Sequence, residues 1–343
     1  MSVCVLKAVP EDFAVSECLG TATGPAGAAD HQYLLLTKRG YTTHQAVAAV
    51  AAHLGVEREA VAAAGLKDED GVTEQTLSLR GAASPEQLAD FNRAHAGTDY
   101  MRLSERGHGG APVVVGELDG NCFRIVARDL DTATADALRA GPAQHNMFFV
   151  NYYDTQRFGV PGGPKQTHLL GGALIDGDDR AAFRLLRESG SPEGGQALAH
   201  DGDPAEFLAA LDPRVLAFYR CAHASAEWNE RLTELVADEG GADTVETDRE
   251  GLRYVLPRTP AAAREVLRAA PELDCGRYRW TDGEMRYTES PRPTVVQTRV
   301  RVLGVRPDDR FPDRWACTLS FFLPSGCYAT MAVTQFFQQL ETV

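Results

Sequence analysis

The residues of this chain best suited to chemistry are Lys67 and Asp68, which close the run Ala64-Gly65-Leu66-Lys67-Asp68. Val72-Thr73-Glu74-Gln75 follows a few residues on. A lysine beside an aspartate favours the ionised carboxylate, because an opposite charge lowers its pKa. An ionised carboxylate next to a turn serves as a nucleophile or as a base. Gly65 lets the backbone turn tightly or approach a ligand. By residue type alone, the same G-x-K-D segment also reads as a plain surface turn. The chain offers no Walker loop, no G-x-G-x-x-G and no His/Cys cluster, and its nine histidines form no usable spacing. Seven cysteines are scattered without a C-x-x-C pair, so the expectation is reduced thiols in a cytosolic protein, with neither a zinc site nor a disulfide framework.

The elements that must carry these residues are partly readable. Tyr33–Thr37 has strand character. A helix is expected over Thr43–Leu54, with Val47, Val50, Ala51 and Leu54 on one face and Gly55 as its stop. Ser84-Pro85-Glu86-Gln87 reads as a capping box with proline in the first turn, and Leu88 and Phe91 give the helix behind it an apolar side. Val113–Val115 and Cys122–Val126 read as strands around a turn at Asp119-Gly120-Asn121. Pro161-Gly162-Gly163-Pro164 looks like a connection between domains. From about 165 to 290 the pattern is mostly helical, with helix starts at Asp203-Pro204 and Pro213 and one long helix over Val215–Val236. Strands return at Val295–Leu303 and Cys317–Leu323. Helices enclosed by strands suggest an insertion into one α+β catalytic domain, not two domains in tandem.

The bulk charge argues mildly against a nucleic-acid partner. The 343 residues carry a net charge of −14, and 24 acidic against 15 basic residues lie in 165–290. Binding a polyanion relies on Lys and Arg, so an acidic protein must gather its cations in one cleft. Of the 34 basic residues only four are lysines: Lys7, Lys38, Lys67 and Lys165. No apolar run reaches the roughly 18–20 residues that span a membrane. Met1-Ser2-Val3-Cys4 does not read as a secretory signal. A cytoplasmic location is the expectation.

Several segments in a fixed order resemble one family. Ala64–Gln75 is similar to the A-G-L-K-D-x-x-x-V-T-x-Q signature of the TruD-type tRNA pseudouridine synthases. Lys7–Glu17 resembles their K-x-x-P-E-D-F-x-V-x-E opening, and Leu36–Thr43 the strand and turn that follow. Gly116–Phe123 is similar to G-x-L-x-G-N-x-F, Asn151–Gly159 to N-Y-F-x-x-Q-R-F-G, and Leu323–Thr330 to L-P-x-G-x-Y/F-A-T. The resemblance implies a pseudouridine synthase fold: a mixed, mostly antiparallel sheet with flanking helices and a central cleft, plus an inserted, mainly helical domain. It places the catalytic domain in 1–162 and 291–343 and the insertion in 163–290. It implies that Asp68 is the catalytic residue of an isomerase that turns uridine in RNA, typically tRNA at a uridine 13 type of position, into pseudouridine. No cofactor and no metal are expected, and RNA is the partner. The target base must leave the stack, and the motif gives Tyr153 the role of stacking on it, a contact worth roughly 1–3 kcal/mol.

The remaining assignments keep alternatives. Lys7 pairs with Asp68 or a phosphate, or is simply solvated. Phe13 lines the pocket or belongs to the core. Glu17 orients Lys7 or is a surface carboxylate. Lys67 and Gln75 belong to the catalytic signature. Asn151 hydrogen-bonds the flipped uracil or caps a turn. Gln156 and Arg157 contact RNA or brace the loop under Asp68. Thr330, near the C-terminal strand, faces the pocket. The chain departs from the family in Glu69-Asp70-Gly71, where basic residues are usual. It departs also in Tyr153 for Phe, in the non-basic stretch Gly107–Pro112, and in its C-terminal Met331–Phe336. Acidic neighbours repel phosphate and raise the pKa of a carboxyl. They therefore suggest a different or smaller RNA substrate, or a nucleotide, feeding pseudouridine to another pathway. A non-catalytic RNA-binding protein is the reading from another class.

Overall fold

A computed structural model describes residues 4–20, 24, 29–114 and 116–340. The chain divides into two compact units, Met1–Asn146 with Thr298–Gly326, and Met147–Gln297 with Cys327–Val343.

The first unit is built on β1 (Phe13–Cys18), β2 (His31–Arg39), β3 (Val61–Ala63), β4 (Val72–Arg80), β5 (Tyr100–Gly109) and β6 (Gly120–Leu130). The chain passes between the units in β7 (Gln144–Val150) and β12 (Val295–Pro307), and β13 (Trp315–Pro324) returns to the first. The sheet runs β5-β2-β4-β1-β6-β13-β12-β7, with β3 also on β4. β1 and β4 are parallel, whereas β2 pairs antiparallel with β4 and β5, and β6 with β1 and β13. The α+β, mostly antiparallel sheet is the one expected.

Helix α1 (Thr43–Leu54) has the expected bounds, because Thr42 and Gln45 close a capping box at its start and Gly55 ends it. Ser84 and Gln87 do the same for α2 (Pro85–Ala94), and Asp131 caps α3 (Thr132–Ala140). Val47, Val50, Leu88 and Phe91 bury against Leu34, Leu36, Leu77, Leu79, Met101 and Leu103 of the sheet. The period-2 alternation of the strands and the helical stripe thus meet in one core. The strand expected at Val113–Val115 is absent at Val113 and Val114, and Val115 lies outside the described residues. Val113 instead donates its N–H to Ser78 Oγ (3.0 Å) and is buried, so local apolar character served a side-chain anchor and not a ladder. The expected turn at Asp119–Asn121 is already β6 from Gly120.

In the second unit, α4 (Thr167–Asp176), α5 (Asp179–Glu188), α6 (Pro192–Leu198), α7 (Pro204–Ala210), α8 (Pro213–Gly240) and α9 (Pro260–Ala269) follow in order. Helix α8 contains the expected long helix whole. The mostly helical reading of 165–290 holds, but the helices are interrupted by two antiparallel hairpins that it did not include. These are β8 (Thr244–Arg249) with β9 (Leu252–Pro257), and β10 (Glu272–Thr281) with β11 (Glu284–Pro293). Their two-residue turns are Glu250-Gly251 (φ 55° and 83°) and Asp282-Gly283 (φ 56° and 81°). Positive φ at both central residues is what tight hairpins demand, and X-Gly dipeptides supply it. Helix α10 (Ala329–Leu340) closes the unit and carries Thr330, which is therefore helical. Among the described residues no helix is long and apolar enough to cross a membrane.

Phe91 is fully buried between the helices and the sheet. Phe91→Ala should lower the unfolding free energy by about 3–5 kcal/mol, read by urea denaturation. A loss below about 1 kcal/mol would mean that this core repacks freely.

Candidate active site

Two motifs 50 residues apart are joined by one parallel strand pair. Ala14, Val15 and Ser16 of β1 lie opposite Val72, Thr73 and Glu74 of β4. The register brings Lys7, Phe13 and Glu17, around β1, to Lys67, Asp68 and Gln75, around β4. Ser16 Oγ donates to Glu74 (2.8 Å). Glu17, 1% exposed in its side chain, accepts from Lys67 Nζ (2.8 Å) and from the N–H of Thr76 (3.0 Å). Glu17 is thus neither a surface carboxylate nor the partner of Lys7. Lys67, the sequence neighbour of Asp68, sends its charge inward to Glu17.

The loop between Ala64 and Gly71 is held by its carbonyls. Gly116 N–H reaches Ala64 O (3.1 Å), Gln75 Nε2 reaches Gly65 O (3.3 Å), and Gly40 N–H reaches Glu69 O (3.2 Å). Lys38 Nζ reaches both Lys67 O (3.2 Å) and Asp68 O (2.8 Å). Thr43 Oγ1 accepts from Lys67 N–H and donates to Gln75 Oε1, each at 2.9 Å, which ties the start of α1 to the loop. Gly65 has no positive φ, and a Cβ there would make ordinary contacts at 3.5 Å or more. The tight position is Gly71, where a Cβ would meet the carbonyl oxygen of Phe13 at 2.6 Å. A loop so tied presents its side chains at fixed places: Leu66, Asp68, Glu69 and Asp70 all face solvent.

Asp68 meets its cation from the other motif. Lys7 Nζ lies 2.8 Å from Asp68 Oδ2 and 4.5 Å from the centre of the Phe13 ring. Phe13 is buried, packed edge-on against Phe123. Lys7 has φ 56°, a left-handed conformation that costs a residue with a side chain roughly 1–2 kcal/mol. It is bracketed by two anchors on Arg128 of β6. The backbone of Arg128 exchanges two hydrogen bonds with Val5 (2.9 Å each), and its guanidinium grips Asp12 through both oxygens (2.8 and 2.9 Å). Arg128 also meets Asp308 (2.8 Å), and the bonds to Asp12 hold its charge firmly, raising its pKa. Burial pushes the Asp308 carboxyl up. The N–H groups of Arg310 and Asp129 and the Arg128 guanidinium outweigh this and leave its pKa below the ordinary value.

The other site residues lie in the second unit. Asn151, 2% exposed, donates Nδ2–H to Pro293 O (3.0 Å) and accepts Arg292 at Oδ1 (3.0 Å). Tyr153 is fixed by Asn229, which accepts its N–H and donates to its carbonyl, each at 2.9 Å. The Arg292 guanidinium covers one face of the Tyr153 ring at 4.2 Å, and Tyr328 meets the ring edge-on at 5.9 Å. Burial pushes the Tyr153 phenol up to about 12, so it is protonated at neutral pH; its hydroxyl meets Cys275 Sγ at 3.4 Å. Arg157 bonds Ser225 Oγ (3.1 Å) and stacks on Phe218, and Gln156 is exposed. Thr330 donates to buried Asp154, which also faces Arg249 at 3.5 Å. Lys38, Arg128, Asp154 and Arg292 were not among the sequence candidates. Lys38 had a signal, since the alternation of β2 sets it in phase with Leu34 and Leu36. Arg128 and Arg292 had none, because only tertiary contacts distinguish them from other arginines. Among the described residues, no cluster of three or more His, Cys, Asp or Glu side chains could hold a metal ion.

A mixed, mostly antiparallel sheet with flanking helices is the architecture of the pseudouridine synthase fold. A Methanosarcina mazei chain of known crystal structure, assigned to tRNA pseudouridine synthase D, superposes with a TM-score of 0.61. It is 18% identical, covering 98% of this chain and 94% of that one. Residues 2–215 match the family model of tRNA pseudouridine synthase D (TruD), and the chain belongs to that family. Among curated relatives, tRNA pseudouridine synthase D of Anaeromyxobacter sp. (strain Fw109-5) is 37% identical over 50% of this chain. That of Pseudomonas putida (strain GB-1) is 27% identical over 98% of this chain and 91% of its own length. The chain spans about half the length of the Anaeromyxobacter relatives it matches.

Breaking the Arg128 cluster should unseat the Lys7 segment. Arg128→Met leaves two buried carboxylates without their cation and should cost roughly 3–5 kcal/mol at pH 7. Because the folded pKa of Asp308 is depressed, its stabilising contribution is present above the ordinary carboxylate pKa and is lost as pH falls through the folded value. The gap in melting temperature between wild type and variant should therefore be largest at neutral pH and narrow below about pH 4. A gap that is constant over this range would contradict the assignment.

Proposed function

We propose that this protein is an RNA pseudouridine synthase in which Asp68 is the catalytic residue. The supporting observation is the exposed Asp68 carboxylate, ion-paired to Lys7 on a loop in which the carbonyls of Ala64, Gly65, Lys67, Asp68 and Glu69 are all held. The reaction is an isomerisation. The bond between ribose C1′ and uracil N1 breaks, the base turns, C1′ joins C5, the C5 hydrogen leaves as a proton, and N1 takes up a proton. The atoms balance without a co-reactant, so one carboxylate and a binding pocket suffice. Asp68 acts as the nucleophile at C1′ or as the base at the sugar. Lys7 fixes its direction, and Phe13, Glu17, Lys67 and Gln75 hold the two motifs in register. From the family motif, Tyr153 stacks on the base, Asn151 binds its edge, and Gln156, Arg157 and Thr330 serve RNA binding or the loops beneath it.

The catalytic domain in this reading comprises 1–162 and 291–343, and 163–290 is the inserted domain. The substrate is tRNA, at a uridine 13 type of position, and the enzyme works in the cytoplasm. One observation favours a second reading. Glu69 and Asp70 are exposed directly beside Asp68, where they repel a phosphate backbone, which suits a shorter RNA or a nucleotide better than a folded tRNA.

Tritium release from 5-tritiated uridine tests both readings. Wild type should release tritium from a tRNA transcript, and Asp68→Asn should retain less than about a thousandth of that rate. Release only from short oligomers or nucleotides would transfer support to the second reading. No release from any of them would leave an RNA-binding protein without the chemistry.

A further inference from the structure

We propose that Lys38 is a positioning residue for this reaction, holding the Asp68 loop by donating its three ammonium protons to three backbone carbonyls; the inference rests on the reading of Asp68 as catalytic. Lys38 Nζ lies 2.7 Å from Tyr41 O, 2.8 Å from Asp68 O and 3.2 Å from Lys67 O. An ammonium has three donors and no acceptor, so these carbonyls use all of them. Two of the three belong to the loop, and one is the carbonyl of Asp68 itself.

The residue is 0% exposed. It sits on β2 opposite Thr73 and Met101, in phase with the buried Leu34 and Leu36. A leucine would continue that core face without desolvating a charge. Among the described residues Lys38 has no carboxylate within ion-pair distance, so its charge is not there for a salt bridge. Desolvation pushes its pKa down to about 8, against the pull of the Asp68 charge, a sign of how strongly the site disfavours a cation. What the lysine supplies and leucine cannot is a clamp on the Lys67 and Asp68 carbonyls. Rotation of either peptide would swing the Asp68 carboxylate away from Lys7. Lys67 is committed to Glu17 and Lys7 contacts only the side chain, so Lys38 alone of the three lysines sets the backbone beneath the carboxylate.

A positioning role separates from a merely structural one in the kinetics. Lys38→Met keeps the buried stem and removes the donors. Its kcat in the tritium-release assay should fall roughly ten- to a hundredfold, with KM for RNA within about twofold of wild type, since no RNA contact is lost. Lys38→Ala vacates the volume of a propylammonium ion. Added propylamine should restore its kcat saturably, whereas propanol, which lacks the ammonium, should not. Asp68→Asn is assayed alongside. If Asp68→Asn is inactive while Lys38→Met keeps wild-type kcat, the positioning role is overturned and the catalytic reading stands. A rise in KM at unchanged kcat overturns it equally. If Lys38→Met does not fold by circular dichroism, the Lys38→Ala variant decides, and failure of propylamine to restore kcat sinks the proposal. Full activity in Asp68→Asn would remove the catalytic reading and this inference with it.

Discussion

The parallel pairing of β1 with β4 is the constraint on which the first unit depends. Parallel strands cannot be joined by a tight turn. The chain therefore leaves β1 and returns only after β2, α1 and β3, so that two motifs far apart in sequence finish side by side. The Ala14–Val72 register sets which residues meet. A slip of one position would turn Glu17 outward and Phe13 away from the core. Gly71 guards that register, because its missing side chain lets β4 pass against the Phe13 carbonyl.

An acidic chain makes economical use of its lysines here. Three of the four, Lys7, Lys38 and Lys67, converge on the segment Gly65–Asp68. Each meets a different kind of group. Lys67 neutralises a buried carboxylate, Lys38 caps carbonyls, and Lys7 faces the exposed Asp68. Buried charges survive only when paired or fully hydrogen-bonded, and both inner lysines meet that condition. The outer pair, with Asp68 half exposed, keeps a carboxylate accessible. Arginine could not replace them equivalently, since a planar fork suits neither three converging carbonyls nor a single deep carboxylate.

The second unit organises its motif differently. Tyr153 is fixed by its backbone bonds to Asn229 of the long helix, and Arg292, from the end of β11, meets both Tyr153 and Asn151. Their side chains are held by neighbours separated by more than 70 residues. Trp228, Tyr152 and Tyr254 fill the core behind them. The Tyr153 ring, covered on one side by the Arg292 guanidinium and met edge-on by Tyr328 at 5.9 Å, is held in place by its neighbours.

The sequence by itself determined what local chemistry controls. The capped ends of α1 and α2, the proline-led starts of α7 and α8 and the alternation of β2 all follow from interactions within a few residues. The motif residues Lys7, Asp68, Asn151 and Tyr153 were legible because each sits in a short pattern. The hairpins β8–β9 and β10–β11 were missed although Glu250-Gly251 and Asp282-Gly283 mark their turns: β8 and β11 are polar and charge-rich, and β9 is a short apolar run that periodicity alone does not tell from helix. Partnership was decided only by the tertiary structure. Asp68 takes Lys7 and not its neighbour Lys67, Glu17 takes Lys67, and Lys38 and Arg128 prove to be anchors. The reason is physical: a buried charge is assigned its partner by strand register and by the need to satisfy every donor, and both are properties of the assembled sheet.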